Sequence, residues 1–286
     1  MTGLWSRRYL VLRRVTQLGI LLVFFGSLHW GWKVAGSPVL RGDLSASTLV
    51  GLVPLADPLA ALQILATRHV PDSSVLLGAL VVVLFYGVVG GRVFCSWVCP
   101  INPVADLAAW MRRKLGWKGT LRLDRRVRDW VLGLTLVLSA WTGLAAFEWI
   151  SPIGMVHRSV IFGMGVGWIG AAAIFLFDLL VDRQGWCGHL CPLGAFYGLL
   201  GRAAQIRVAF DATTCTRCGD CLAVCPEPHV LNFEHAGAAG LVVSGDCTNC
   251  GRCTPICPEG SLGFAWRARV RRPPTDLQIP RARRAS

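Results

Sequence analysis

"CTRCGDCLAVCPEP" runs from Cys215 to Pro228, and "CTNCGRCTPICPEG" runs from Cys247 to Gly260. Both read C-x2-C-x2-C-x3-C-P. Together they hold eight of the chain's 12 cysteines. The spacing has a geometric reading. Two-residue gaps let a tight loop aim three sulfurs at one centre, a three-residue gap turns the fourth sulfur away, and the proline ends the loop. Gly219 and Gly251 follow the second cysteine of each run, where a missing side chain lets backbone N–H groups approach the sulfurs.

This is the spacing of bacterial ferredoxins with two [4Fe–4S] clusters, in which the fourth cysteine of each run serves the other cluster. It assigns Cys215, Cys218, Cys221 and Cys257 to one cluster, and Cys247, Cys250, Cys253 and Cys225 to the other. Zinc also uses C-x2-C pairs, but its four-ligand sites need no such interleaving. Residues 210–265 are polar, Gly-rich and Cys-rich, and read as a separate α+β module of ferredoxin type that relays single electrons.

Outward from the module the composition changes. The 286 residues are 53% hydrophobic with mean hydropathy +0.51, and only 16% are charged. Yet net charge is +13. The bases cluster beside apolar runs, as the positive-inside rule places them, and not in a nucleic-acid-binding face. Four runs are long enough to span a bilayer, which takes about 20 residues: about 15–34, 74–93, 130–147 and 160–181. The expected fold is therefore an α-helical integral membrane protein, with four transmembrane helices in two pseudo-repeats and the C-terminal module. Its parts are a cytoplasmic segment 1–14, a membrane domain 15–209, the module 210–265 and a basic disordered tail 266–286. "SRRYLVL" near the start is similar to a twin-arginine export signal, but no convincing cleavage site follows, so an uncleaved helix is expected.

The pseudo-repeat is visible as "GGRVFCSWVCPINPVADL" at Gly90–Leu107 against "DRQGWCGHLCPLGAFYGL" at Asp182–Leu199. Each copy ends in CxxxCP. If the helix continues to the proline, Cys95 and Cys99 share a helical face, as do Cys187 and Cys191. Three roles stay open for these four thiols: a metal centre shared by the halves, a redox-active dithiol, or small buried side chains.

A membrane electron carrier needs a lipid-soluble donor, and oxidising a quinol releases protons as well as electrons. Candidates to receive them are Asp57, Gln63, His69, Glu148, His157 and Arg158, all in the links between apolar runs. His29 closes the first run. Asp178 lies inside the fourth and can snorkel to its edge.

"RVFCSWVCPINPVADL", "GWCGHLCPLGAFYGLLG", "VPLADPLAALQILA", "CPEPHVL" and the two cysteine runs together resemble the NapH-type ferredoxin-like membrane subunits of periplasmic nitrate reductase systems. MauN, NosR-like and CcoG proteins share that architecture. The resemblance implies an inner-membrane, multi-pass protein with both termini and both clusters in the cytoplasm. It further implies an electron-transfer subunit of a quinol dehydrogenase, working with a NapG-like iron–sulfur partner and a periplasmic nitrate reductase. A maturation factor supplying electrons or metal to a partner enzyme, and a MauN-type role in methylamine oxidation, are the alternatives it carries.

Overall fold

Residues 4–117, 123–163, 165 and 167–270 are described by a computed structural model. The first apolar run is helical from its start: α1 spans Leu4–His29. After it the chain turns into short strands, β1 (Lys33–Val34) and β2 (Ser37–Pro38), then β3 (Leu40–Gly42), β4 (Ala46–Leu49) and β5 (Val53–Ala56). Asp43 makes the β3–β4 turn, its Oδ1 accepting the backbone N–H groups of Ser45 and Ala46, both at 3.0 Å. Asp57 then caps α2 (Pro58–Ala66), accepting from Leu59 N at 3.1 Å, with Pro58 in the first helical position.

Helices α3 (Ser73–Val89), α4 (Val93–Trp97), α5 (Ile101–Leu115) and α6 (Arg126–Thr142) follow. Next come α7 (Ala146–Ile150), α8 (Pro152–Phe162) and α9 (Gly167–Leu180). A π-helical turn, Trp186–Leu190, leads into α10 (Pro192–Gly201). Gly116, Gly143 and Gly163 end α5, α6 and α8 in the left-handed conformation that glycine adopts without strain. The last elements are β6 (Ile206–Phe210), α11 (Asp220–Val224), α12 (Phe233–Ala239), α13 (Cys253–Ile256) and β7 (Leu262–Trp266).

The four-helix membrane domain is not what forms. Among the described residues one helix is long and apolar enough to cross a membrane, over Arg8–His29. The other expected spans fail on length or composition. At about 1.5 Å per residue a crossing of about 30 Å needs about 20 residues; α3 has 17 residues and α9 has 14. The run expected at 130–147 is divided, since α6 stops at Thr142 with Gly143 as its cap and a separate helix, α7, begins at Ala146; α6 itself has 17 residues and opens on Arg126, Arg128 and Asp129. The run at 160–181 is broken where α8 stops at Gly163. The link after α1 is also folded, into the three-stranded antiparallel sheet β3–β4–β5 and α2. Of the basic tail expected from 266, residues 271–286 lie outside the described residues.

The chain divides into two compact units. One comprises 14–85 and 97–196. In it α5 and α8 pack on α9, and α2 packs on α6. Arg14 bonds Gln17, Asn102 and Asp106, tying α1 to α5 through polar side chains. Arg112 donates to the carbonyls of Asp178 at 3.0 Å and Val181 at 3.3 Å, at the end of α9.

The other unit comprises 4–13, 86–96 and 197–270. Its frame is the antiparallel pair β6–β7, in register from Ile206↔Trp266 to Phe210↔Leu262. Val208, Phe210, Val230, Leu231, Val242 and Leu262 form its core, together with Cys221, Cys225 and Cys253. Three buried polar side chains organise its loops. Arg207 donates to the carbonyls of Ala204, Val242 and Val243 at 3.0, 3.2 and 2.7 Å. Arg92, 1% exposed, donates to Glu227 Oε1 at 3.0 Å and to the Asp246 carbonyl at 3.2 Å. Asn249 donates through Nδ2 to the carbonyls of Ile206 at 2.9 Å and Val89 at 3.3 Å. In the same unit Phe94 stacks on Tyr197 and Tyr86 meets both rings edge-on, and Gly91 lies so close to the Tyr197 carbonyl that a Cβ there would stand 1.9 Å from it.

Two stability effects are expected. Arg92→Ala leaves the Glu227 carboxylate buried without its cation and costs about 3–5 kcal/mol; Arg92→Met with Glu227→Gln costs less, because no charge is stranded. Asn249→Ala removes two bonds to buried carbonyls at a backbone φ of +47° and costs about 2–4 kcal/mol; Asn249→Gly recovers the strain part alone. Thermal unfolding of the purified protein in detergent measures both.

Candidate functional site

The two cysteine runs fold alike. In each, the residue before the second cysteine is left-handed, Arg217 at φ +58° and Asn249 at φ +47°, and so is the glycine after it, Gly219 at +86° and Gly251 at +73°. Two left-handed residues flanking a cysteine curl the backbone so that its N–H groups turn inward, a nest suited to anionic sulfur. Arg217 N donates to Cys215 Sγ at 3.4 Å. The third cysteine then starts a short helix, Cys221 in α11 and Cys253 in α13, and the fourth leaves it in extended conformation, at Cys225 and Cys257, just before a proline. Asparagine tolerates φ > 0 better than most residues, so Asn249 carried a signal in the sequence that cysteine spacing alone overlooks. Arg92, Arg207 and Glu227 carried none, since nothing local marks an arginine or glutamate that ends up buried.

The eight thiols ring two separate cavities. Cys215, Cys218, Cys221 and Cys257 line one, of about 340 Å³ including its opening to solvent, with Phe210, Phe233 and Leu262. Cys225, Cys247, Cys250 and Cys253 line the other, of about 360 Å³ on the same measure, with Val208, Val230 and Leu231. Around each cavity three sulfurs come from one run and the fourth from the other. A single zinc requires sulfurs about 2.3 Å from one point, and among the described residues no three His, Cys, Asp or Glu side chains are placed to share one ion. Thiols spread round a space suit a polynuclear centre with several corners better than a single ion. Burial pushes the metal-free thiols of Cys221, Cys225, Cys247 and Cys253 up, Cys247 to about 11. Binding as thiolates must therefore release protons.

The CxxxCP thiols are arranged otherwise than one helical face would place them. Helix α4 contains Cys95 but ends at Trp97, before Cys99. Cys187 lies in the π-helical turn and Cys191 caps it in extended conformation. Cys99 and Cys191 are buried, while Cys95 and Cys187 are half-buried. Asp178, expected to snorkel, is fully buried, and its Oδ1 accepts the Trp186 N–H at 2.9 Å, pinning the turn that carries Cys187.

Of the six link residues, the structure joins five into one region within 14–85 and 97–196. Glu148 accepts from Ser45 Oγ at 2.8 Å. Arg158 Nε donates to Asp43 Oδ2 at 2.9 Å. Gln63, fully buried, accepts from Phe147 N at 2.8 Å and so holds the turn before Glu148. Asp57 lies within electrostatic reach of Glu148. His157 is fully buried against the Phe24 ring, and neither ring nitrogen has a hydrogen-bond partner. His69 stands apart, exposed and bonded to Thr67. His29 bonds the Ile161 carbonyl at 2.8 Å, fixing the end of α1 against α8. The region also recruits Asp43 and Ser45, from the β3–β4 turn, which the sequence reading did not single out.

Charge in this region is set by burial. Desolvation pushes the Asp57 carboxyl up to about 7, with the negative charge of Glu148 adding to the rise. Glu148 also moves up, chiefly by burial, although its bond from Ser45 and the charge of Arg158 pull the other way. Burial lowers His157 to about 4, so its imidazole is neutral. An aspartate raised from 3.8 to about 7 favours the folded state below pH 3.8, and that contribution is lost as pH climbs through 7.

Comparison with known proteins adds to this geometry. A family model described as "4Fe-4S binding domain" matches twice, at residues 72–118 and 161–209. A second, "4Fe-4S dicluster domain", matches residues 207–258. The methylamine utilization ferredoxin-type protein MauN of Methylorubrum extorquens is 47% identical over 84% of this chain and 83% of its own length. The ferredoxin-type proteins NapH of Haemophilus influenzae and Escherichia coli are 46% and 47% identical, each over 80% of this chain and 79% of their own length. No solved structure matches the chain. With paired cysteine loops of one conformation, a dicluster domain over them and this identity along most of its length, the chain is an iron–sulfur electron-transfer protein and belongs to the family of NapH and MauN ferredoxin-type proteins.

Proposed function

We propose that the chain is a membrane-anchored quinol dehydrogenase subunit that passes electrons to an iron–sulfur partner of NapG type, and through it to a periplasmic nitrate reductase. The observation that carries the reading is the four-and-four arrangement of thiols round two cavities. On this reading Cys215, Cys218, Cys221 and Cys257 hold one [4Fe–4S] cluster, and Cys225, Cys247, Cys250 and Cys253 hold a second. Each cluster supplies a one-electron centre. The chain supplies thiolates, inward N–H groups and an apolar wall, all of which tune potential. The anchor is α1, whose basic N-terminal end, with Arg8, Arg13 and Arg14, faces the cytoplasm of a bacterium by the positive-inside rule. A quinol is a two-electron, two-proton donor, and the region of Asp57, Glu148, His157 and Arg158 is suited to receive its protons. A second reading, the equivalent role in methylamine oxidation, is favoured by the identity to MauN, which matches that to NapH.

Anaerobically purified protein should carry two clusters per chain. Cys218→Ser and Cys257→Ser should each lose roughly half the iron and the same EPR signal, while Cys250→Ser and Cys225→Ser lose the other half and the other signal. Cys225→Ser grouping with Cys218→Ser would break the interleaved assignment, and zinc in place of iron would end the electron-transfer role. Menadiol should reduce the wild-type clusters; clusters that dithionite reduces and menadiol does not would remove the quinol.

A further inference from the structure

The two cysteine loops share one backbone shape, but only one of them is covered by the rest of its unit. In loop 247–253, Gly251 faces the Tyr9 ring so closely that a Cβ there would stand 2.6 Å from it, and Tyr9 packs edge-on against Phe264. The Thr248 carbonyl accepts from Ser96 Oγ at 2.6 Å, and Asn249 donates to the Val89 carbonyl at 3.3 Å. The equivalent positions of loop 215–221 are bare. A Cβ at Gly219 would meet nothing within 4 Å, and Thr216 is exposed. The sulfurs follow the same division. Cys218 is exposed, with Cys215 and Cys257 half-buried, whereas Cys225, Cys250 and Cys253 are all buried.

Charge divides the loops in the same way. Beside the second cavity the carboxylates are engaged inside the unit, Glu227 with Arg92 at 3.0 Å and Asp246 with His229 at 3.2 Å. Round the first cavity four carboxylates face solvent. Glu259 lines the cavity, Asp220 follows Gly219 of its wall, and Glu234 follows Phe233 of its wall. Asp211 donates its backbone N–H to the carbonyl of Ser261, another wall residue, at 2.9 Å. None of the four has an ion-pair partner among the described residues. Arg217, also in the wall, is the opposing charge. In a chain of net charge +13, this gathers unpaired acid at the one redox cavity that is open. Such a surface suits a partner of the opposite sign, whose field steers the encounter.

We propose that the cluster held by Cys215, Cys218, Cys221 and Cys257 is the module's port to other proteins, and that the surface of Thr216, Asp220 and Glu259 docks a redox protein whose own centre lies under a basic face. The inference rests on the cluster assignment above and adds to it which cluster meets the partner and what charge that partner carries. The transfer makes and breaks no bond: the reduced cluster loses one electron and the partner's centre gains it. Electron tunnelling falls steeply with distance, so a partner must bring its centre to the cluster with the thinner cover. The second cluster, whose loop is backed by Tyr9, exchanges electrons with the first inside the module.

The test uses full-length, iron-loaded protein, reduced with dithionite and mixed with cytochrome c, a small protein with a basic face round its haem edge. Rates are normalised to iron per chain. Wild-type oxidation should slow about tenfold as ionic strength rises from about 0.01 M to about 0.1 M, which shortens the Debye length from about 30 Å to about 10 Å. Asp220→Asn with Glu259→Gln should lose about tenfold at low salt and most of the salt dependence, while oxidation by ferricyanide, a small anion, should hold or quicken. Asp124→Asn with Asp129→Asn, a matched change of charge in the other unit, should leave the cytochrome c rate within about twofold. Equal slowing by both oxidants in the first pair overturns the inference, because the carboxylates would then act on the cluster and not on the partner. An equal loss from the second pair overturns it too, because net charge alone would account for the effect. A salt dependence that appears only with Arg281→Gln, Arg283→Gln and Arg284→Gln gives the surface to the chain's own basic end and overturns the partner. Absence of iron at these cysteines removes the cluster assignment itself, whereas iron-loaded protein with a salt-independent rate removes the port alone.

Discussion

The pairing of β6 with β7 is the constraint from which the ferredoxin module follows. Its ladder closes with Phe210 opposite Leu262. Cys215 lies five residues beyond Phe210, and Cys257 lies five residues before Leu262. Equal tethers from a paired rung bring the first cysteine of the first run to the last cysteine of the second. The exchange of fourth ligands between the loops is thus a result of strand register. A slip of one residue would also turn Val208 and Phe210 from the core to the other face, emptying the apolar walls of both cavities.

Electrostatics then hold the loops in place. Asn249, Arg207 and Arg92 each spend their donors on backbone carbonyls, and Arg92 also neutralises Glu227 beside the second cavity. A buried ion pair adds little net stability over apolar packing, but it fixes geometry, because any other arrangement strands a charge. The left-handed residues on either side of Cys218 and Cys250 work in the same sense. They make the loop conformation a property of the backbone, so two runs with different residues between the cysteines adopt one shape.

The second unit solves a different problem. Its acidic turn, α2 cap and α7–α8 corner gather charge that could be left to solvent, and they hold it where burial raises carboxyl pKa and keeps an imidazole neutral. Desolvation is the leading cause in each case. The same residues at an exposed loop would titrate as ordinary side chains, so the local dielectric, and not residue identity, gives this region its chemistry.

Cysteine spacing alone named the iron–sulfur character and the two runs, because thiolate geometry round a cluster is written in short local intervals; the family needed the CxxxCP segments and the proline-containing link as well. Hydropathy was a poorer guide. Runs of apolar residues at 130–147 and 160–181 read as spans, yet α6 carries charge into its first turn and Gly163 divides the last run into α8 and α9. Apolar composition reports a wish to leave water, and it does not say whether lipid or another helix provides the exit. Which residues meet was decided by tertiary structure: Arg92 with Glu227, Ser45 with Glu148, and Asp43 with Arg158 stand 135, 103 and 115 residues apart in the chain. No local pattern encodes such pairs, because each exists only once the backbone has closed the loop between them.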